Sequence, residues 1–236
     1  MGGHGLASAG DRLMQSFFTD PPRDDIAQLN AEDARHVLRS LRMQPGDLLA
    51  VASEGRRWEA RLQVQGDQVS ARLVRELPSG EPRTQVTLYQ GLAKGDRMDF
   101  LVQKCSELGA VRIVPCLFSR CVARWEGAGS KLSRWRRIAR EAAVQSGRSV
   151  IPRVENCLSF EALCQRLPSH GLALVPWEEG GQPMAEAIEE APDDIALVIG
   201  PEGGIAPDEI NLLAARPLTL GPRILRTETA GMAALT

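Results

Sequence analysis

The stretch "LVIGPEGGIAPDEI" (197–210) runs three apolar residues into Gly-Pro, a carboxylate, two glycines and a helix start. Such an ending serves one of three purposes: a bare turn, a phosphate cradle, or a slot for a ligand that is not a phosphate. The phosphate-loop pattern G-x-x-x-x-G-K-[ST] is absent, because no Lys-Ser or Lys-Thr follows the glycines. Gly200, Gly203 and Gly204 are also wrongly spaced for the G-x-G-x-x-G dinucleotide fingerprint. Glu202 would stand where a phosphate belongs, so a neutral or cationic ligand fits better. Gly203 and Gly204 let backbone approach a ligand closely. Pro201 stiffens the turn, while Pro207, Asp208 and Glu209 suit the first turn of a helix. A tight βα connection with no ligand explains this stretch equally well.

A second stretch, "LGPRILRTETAG" (220–231), repeats the strand-to-Gly-Pro form. It adds Arg226, Thr227, Glu228 and Thr229 ahead of a helix of small residues. Taken as the ends of two adjacent strands, the two Gly-Pro loops would line one pocket together.

The elements that must hold these loops follow from periodicity. "VTLYQG" (86–91), "VRIVP" (111–115), "LALVP" (172–176), "IALVIG" (195–200) and "PLTLG" (217–221) read as strands. Helices fall between them over 96–108, 131–147, 159–167, 184–190 and 207–215. The first carries Met98, Leu101, Val102, Cys105 and Leu108 on one face, and the second Leu132, Trp135, Ile138, Ala139 and Ala142. Alternation of this kind predicts a parallel sheet with helices on both faces, whose ligands bind beyond the carboxyl ends of the strands. The N-terminal third reads differently. "NAEDARHVLRSLRM" has Ala34, Val37, Leu38 and Leu41 at helical spacing, with Asn30 as N-cap. Strands follow at 48–53, 57–64 and 68–77, and short strands in series suggest a small β-barrel-like domain. "PSGEP" (78–82) is the expected linker, and residues 1–16 read as a flexible leader.

With 236 residues, the chain has room for one large or two small domains. No run of about 18 apolar residues would span a membrane, and the N-terminus lacks the form of a secretory signal. Five cysteines without CxxC spacing and three histidines argue against a zinc site and for reduced, buried thiols in a cytoplasmic protein. The net charge of −2 is unevenly spread: residues 1–82 carry −2, residues 83–153 carry +9 and residues 154–236 carry −9. The middle excess is either a polyanion footprint or charge neutralised within the fold. Arginine supplies 25 of the 28 basic side chains, which suits planar phosphate recognition. Glu107 and Glu141 are expected to pair with basic neighbours.

Taken in order, several stretches are similar to one family. "HVLRSLRMQPGD" (36–47), "GLAKGDRMDFLVQKCSELG" (91–109), "SRC" (119–121) and "RWRRIAREAAVQSGR" (134–148) precede "IGPEGGIAPDEI" and "LGPRILRTETA". This order resembles the RsmE family of bacterial ribosomal RNA uridine-N3 methyltransferases, in the SPOUT superfamily. The resemblance implies a PUA-like β-barrel over 17–78 for RNA contact. It implies a SPOUT methyltransferase domain over 83–236, a parallel sheet closed by a C-terminal trefoil knot. It also implies a homodimer, S-adenosylmethionine as cofactor, ribosomal RNA of the small subunit as substrate, and no metal or membrane partner.

On that resemblance the methyl-donor slot takes Ile199, Gly200, Pro201, Glu202, Gly203 and Gly204 from one loop. Leu220, Gly221, Leu225, Arg226 and Thr229 come from the other, with Pro176, Trp177 and Glu178 as a third wall. Uridine N3 carries a weakly acidic proton between two carbonyls. Methylation there calls for a carboxylate base and a fixed cation at the developing oxyanion. Glu228 and Arg226 are the candidates, the alternative being that both brace the loop. The basic segment then offers Arg97, Lys104, Arg120, Arg134, Arg137 and Arg148 to RNA phosphates, with Arg39 and Arg42 added from the N-terminal part. Two features depart from the family pattern. Ser16 precedes "FF" (17–18) where relatives often have Arg, and the chain ends at "GMAALT", short of the expected end of the last helix. Rival readings are a SPOUT ribose 2′-O-methyltransferase, which typically ends in a different motif, a non-enzymatic ribosome-assembly factor, and a nucleotide-binding α/β protein.

Overall fold

The computed structural model describes residues 14–188 and 192–236. Most of the leader expected over 1–16, and Glu189 and Glu190 of the helix expected over 184–190, lie outside the described residues. The chain divides into two compact units. One takes the described residues up to Glu81 with Ala143–Val150, the other Pro82–Ala142 with Ile151–Thr236.

The first unit holds β1 (Ser16–Phe18), β2 (Ile26–Gln28), a short α1 (Ala31–Arg35), β3 (Leu48–Ser53), β4 (Arg56–Gln65) and β5 (Gln68–Leu77). They form a five-stranded sheet ordered β1-β3-β4-β5-β2, antiparallel except for β1 beside β3. Alternation along β4 buries Ala60 and Leu62 against Leu49, Val51, Val69 and Ala71. β1 and β2 escape a sequence reading because three residues are too few to display a period of two. Asn30 caps α1 as its type predicts, accepting the N–H groups of Glu32 and Asp33 at 3.0 and 2.9 Å. The helix expected to run on to Met43 instead widens after Arg35. Leu41 N–H bonds to His36 O, five residues back. Val37 stays buried, Leu38 becomes exposed, and Arg42 takes φ 54°. Ser16 is buried, its hydroxyl without a hydrogen-bond partner among the described residues.

The second unit is a seven-stranded, wholly parallel sheet. Its elements are β6 (Gln85–Gly91), α2 (Arg97–Glu107), β7 (Arg112–Cys116), α3 (Ala128–Ser146), β8 (Arg153–Val154) and α4 (Phe160–Arg166). There follow β9 (Leu172–Pro176), β10 (Gln182–Pro183), α5 (Met184–Ala187), β11 (Asp194–Ile199), α6 (Pro207–Leu212), β12 (Arg216–Thr219) and α7 (Thr227–Leu235). α3 begins in this unit, and its last residues belong to the first. The strand order is β10-β12-β9-β11-β6-β7-β8. β11 shows why its run is apolar throughout. Ile195, Leu197 and Ile199 join one core cluster with Met98, Leu101 and Trp135, while Ala196 and Val198 join another with Tyr89, Phe118 and Leu163. A strand covered on both faces needs apolar side chains at every position.

One expectation is corrected here. β11 and β12 are not adjacent, because β9 lies between them. The two Gly-Pro loops therefore flank the end of β9, which becomes the middle of the arrangement rather than an outer wall. All five cysteines are free thiols, and burial pushes Cys105 up to about 12. Among the described residues no cluster of three or more side chains could hold a metal ion, and no helix is long and apolar enough to cross a membrane.

Candidate active-site cleft

Three strand ends build the site. β11 runs on into Gly200 and Pro201, whose backbone lies against the end of β6. A Cβ on Gly91 would stand 2.3 Å from the nitrogen of Pro201, so only glycine fits there. The loop then turns on Gly204, at φ 71°, whose N–H bonds to Pro201 O at 3.0 Å. A Cβ on Gly204 would meet a carboxylate oxygen of Glu178 at 2.8 Å, which brings the β9 end within reach of the loop. β9 itself is held to the β12 strand by Trp177 N–H donating to Leu218 O at 3.0 Å.

The third wall, after β12, is pinned by Thr227. Its hydroxyl donates to Gly200 O at 2.6 Å and accepts from Gln90 Nε2 at 2.7 Å. Gln90 is fully buried in β6 and also donates to Gly91 O at 3.0 Å. One side-chain pair thus fastens the start of α7 to the ends of β6 and β11. Sequence reading places Gln90 in a strand and assigns it nothing, because its partner lies 137 residues away.

Together the loops enclose a cleft of about 550 Å3, within the usual range for small-molecule sites. Pro176, Trp177 and Glu178 line it, as do Ile199, Gly200, Pro201, Glu202 and Gly204 from the first loop. Leu220, Gly221, Leu225, Arg226 and Glu228 line it from the other side. Gly203 and Thr229 are not among the lining residues. Gly203 faces away, toward the backbone of Arg120. Arg223, to which the sequence reading gives no role, also lines the cleft.

The charges are specific. Glu202 does not stand free: its Oε1 accepts Lys94 N–H at 2.9 Å and Arg97 Nη1 at 2.7 Å. Burial pushes the Glu202 carboxyl up, but bonds from Lys94 N–H, its own backbone and Arg97 outweigh that and hold it below the usual carboxylate value. Arg97 Nε also comes within 3.9 Å of Glu228 Oε1. Glu228 is largely buried, and its Oε2 has no hydrogen-bond partner among the described residues. Trp177 Nε1 is the second buried polar atom of the cleft without one. Buried polar groups are nearly always satisfied, so an orphan donor and an orphan acceptor, unpartnered among the described residues and carried by two residues that line one cleft, point to a ligand there. Arg226 is exposed and has no carboxylate partner among the described residues.

Part of the basic segment is paired with carboxylates, and Arg134 and Arg137 stay largely exposed in their pairs. Lys104 pairs with Glu107, Arg134 with Asp99, and Arg137 with Glu141. Arg148 was expected to meet a phosphate, and that is corrected. It is 5% exposed, and its guanidinium is held by Glu81 at 2.6 Å, leaving no face for RNA. Arg39, Arg42 and Arg120 are exposed.

Residues 80–236 match the family model described as an RNA methyltransferase domain. The ribosomal RNA small subunit methyltransferase E of Bacillus subtilis is 33% identical over 94% of this chain and 94% of its own length. That of Mycobacterium bovis is 34% identical over 93% of this chain and 88% of its own. The crystal structure of the Neisseria gonorrhoeae ribosomal RNA small subunit methyltransferase E, bound to S-adenosyl methionine, superposes with a TM-score of 0.84. It is 31% identical, over 94% of this chain and 95% of its own. The class is that of the RNA methyltransferases. Within it, the chain belongs to the ribosomal RNA small subunit methyltransferase E family.

Proposed function

We propose that this protein transfers a methyl group from S-adenosylmethionine to N3 of a uridine in the 16S ribosomal RNA of the small subunit. The observation that carries the reading is Glu228 Oε2, a buried acceptor without a partner on the wall of the cleft that the two Gly-Pro loops enclose.

The cleft suits the cofactor. Glycines line it at Gly200, Gly204 and Gly221, where adenine and ribose can be met by amides and carbonyls. Trp177 Nε1 offers a free donor, and no lysine-bearing phosphate cradle is present. S-adenosylmethionine supplies an electrophilic methyl group on a sulfonium cation. Pro176, Trp177, Glu178, Ile199 to Pro201, Leu220 and Leu225 hold it, and Glu202 keeps the first loop in shape through Lys94 and Arg97. Glu228 Oε2 accepts the N3 proton of the uracil. Arg226, with no carboxylate to neutralise it among the described residues, stabilises the charge that then spreads over the uracil O2 and O4. Arg97 Nε lies 3.9 Å from the other oxygen of Glu228, close enough to favour its charge but not to hydrogen-bond it.

The same reading divides the chain into an RNA-contacting, PUA-like barrel over 17–78 and a SPOUT domain over 83–236. The C-terminal knot of that domain is supported by β12 lying between β10 and β9 while the following segment is fastened to Gln90 of β6. RNA phosphates are met by Arg39, Arg42 and Arg120. A homodimer is supported by the apolar surface left at Phe100 and Ile224, and light scattering should give twice the 25.7 kDa chain mass. The location is cytoplasmic, where ribosomes are assembled.

The deciding experiment incubates the protein with labelled S-adenosylmethionine and unmodified 30S particles and maps the methylated atom by mass spectrometry. N3 of a uridine is the expected result. A ribose methyl would make it a 2′-O-methyltransferase, and RNA binding without transfer would make it an assembly factor.

A further inference from the structure

Glu209 is 5% exposed, yet both of its carboxylate oxygens are engaged by backbone. Oε2 accepts Ala206 N–H at 3.1 Å, the side-chain half of a capping box at the start of its own helix, α6. Oε1 reaches 90 residues back along the chain and accepts Ser119 N–H at 2.7 Å. Ser119 sits in a tight turn after β7, closed by Cys121 N–H on Phe118 O at 3.0 Å and anchored by the buried Phe118 ring. Arg120 projects from that turn, exposed and without a carboxylate partner among the described residues. The turn is packed onto the first Gly-Pro loop. A Cβ on Gly203 would stand 2.8 Å from Arg120 O and 3.0 Å from Arg120 Cβ.

Capping α6 requires only one of these oxygens. No cation faces Glu209 among the described residues, so its burial carries a desolvation cost that a neutral cap would avoid. We propose that Glu209 is a positioning residue for RNA binding. It clamps the Ser119–Cys121 turn to the loop that lines the cleft, and so presents the Arg120 guanidinium to a phosphate next to the reacting base. This rests on the RNA-methyltransferase reading above.

The test compares Glu209→Gln, Arg120→Ala and the double variant for binding to unmodified 30S particles across a salt series. Melting temperature and S-adenosylmethionine affinity are measured on the same preparations. Glutamine keeps one acceptor but turns an NH2 group toward the other N–H, so one of the two bonds is lost. Each single variant is expected to lose about fivefold in RNA affinity and to lower the salt slope by about one unit. The double variant should be no weaker than either single one. Cofactor affinity should stay within about threefold. Gly203→Ala, which pushes the turn away without touching Glu209, should reproduce the RNA defect and guards against a folding defect specific to Glu209→Gln.

Additive losses, an unchanged salt slope in Glu209→Gln, or RNA and cofactor affinity falling together with the melting temperature would each overturn the clamp. Parent protein that fails to bind the particles would overturn the underlying reading as well.

Discussion

Arg97 and Glu202, 105 residues apart in sequence, meet at the cleft with Nη1 2.7 Å from Oε1. The same carboxylate oxygen takes the Lys94 N–H, so Glu202 spends its charge on the loop rather than on a ligand. The Arg97 side chain is 45% exposed, and such a pair contributes at most about 1 kcal/mol. Glu202→Gln should therefore leave melting nearly unchanged at pH 7, and calorimetric titration should find S-adenosylmethionine affinity within about threefold of the parent. A tenfold loss would mean that Glu202 contacts the cofactor. Because the folded carboxyl lies below its ordinary 4.5, its stabilisation is present above that value and is lost as pH falls through the folded one. The glutamine variant should flatten that acid limb.

Glu228 is the opposite case, a buried carboxylate with one oxygen left unmatched. Glu228→Gln keeps the shape and removes the base. Loss of a general base typically costs 10²–10⁴-fold, so single-turnover methylation should fall by about that factor. Cofactor affinity should stay within about threefold, since the proposed role touches the uracil. Near-normal single-turnover rates would return Glu228 to a bracing role.

What the sequence made legible follows from how far each signal reaches. The strands of the parallel sheet announce themselves as short apolar runs, because both faces are covered, and the helices at 97–107 and 128–146 by burial that repeats every 3.6 residues. β8 and β10 are two residues long and carry no period. The Gly-Pro loops stand out by composition, since glycine is needed where backbone meets backbone, as at Gly91 and Pro201. The fastening of Thr227 to Gln90 and of Glu209 to Ser119 leaves no local trace, because each joins residues distant in the chain. Charge counting gave the sign of the middle segment but not its burial, and so could not separate Arg148 from Arg120.

Arg148 and Glu81 make that distinction measurable. Glu81 accepts the Arg148 guanidinium and also the N–H groups of Ser149 and Val150, at 2.8 and 3.1 Å. Breaking a buried pair by removing one partner costs about 3–5 kcal/mol. Arg148→Ala should lower the denaturant midpoint accordingly. Below its own melting temperature it should bind RNA with the parent's salt slope, whereas Arg120→Ala should not. A reduced slope in folded Arg148→Ala would restore Arg148 as a phosphate contact.

Tyr89 gives a spectroscopic check of the packing beneath the cleft, because it is the chain's single tyrosine. It is fully buried in β6, its hydroxyl 2.8 Å from His170 Nε2, and His170 Nδ1 lies 2.6 Å from Asp194. Burial raises the phenol to about 12, against a smaller lowering effect from the Arg166 guanidinium over its ring. An acid whose folded value is raised stabilises the fold at and below its unfolded value near 10 and loses that contribution as pH climbs toward 12. Two pKa units correspond to about 3 kcal/mol, so alkaline unfolding should set in over this interval. Absorbance at 295 nm should show tyrosinate near pH 10 in urea but lag by about two units in the native protein. Tyr89→Phe should remove the signal and leave a shallower alkaline limb. A native titration near 10 would mean that the hydroxyl reaches water and that the β6 core is looser than its packing indicates.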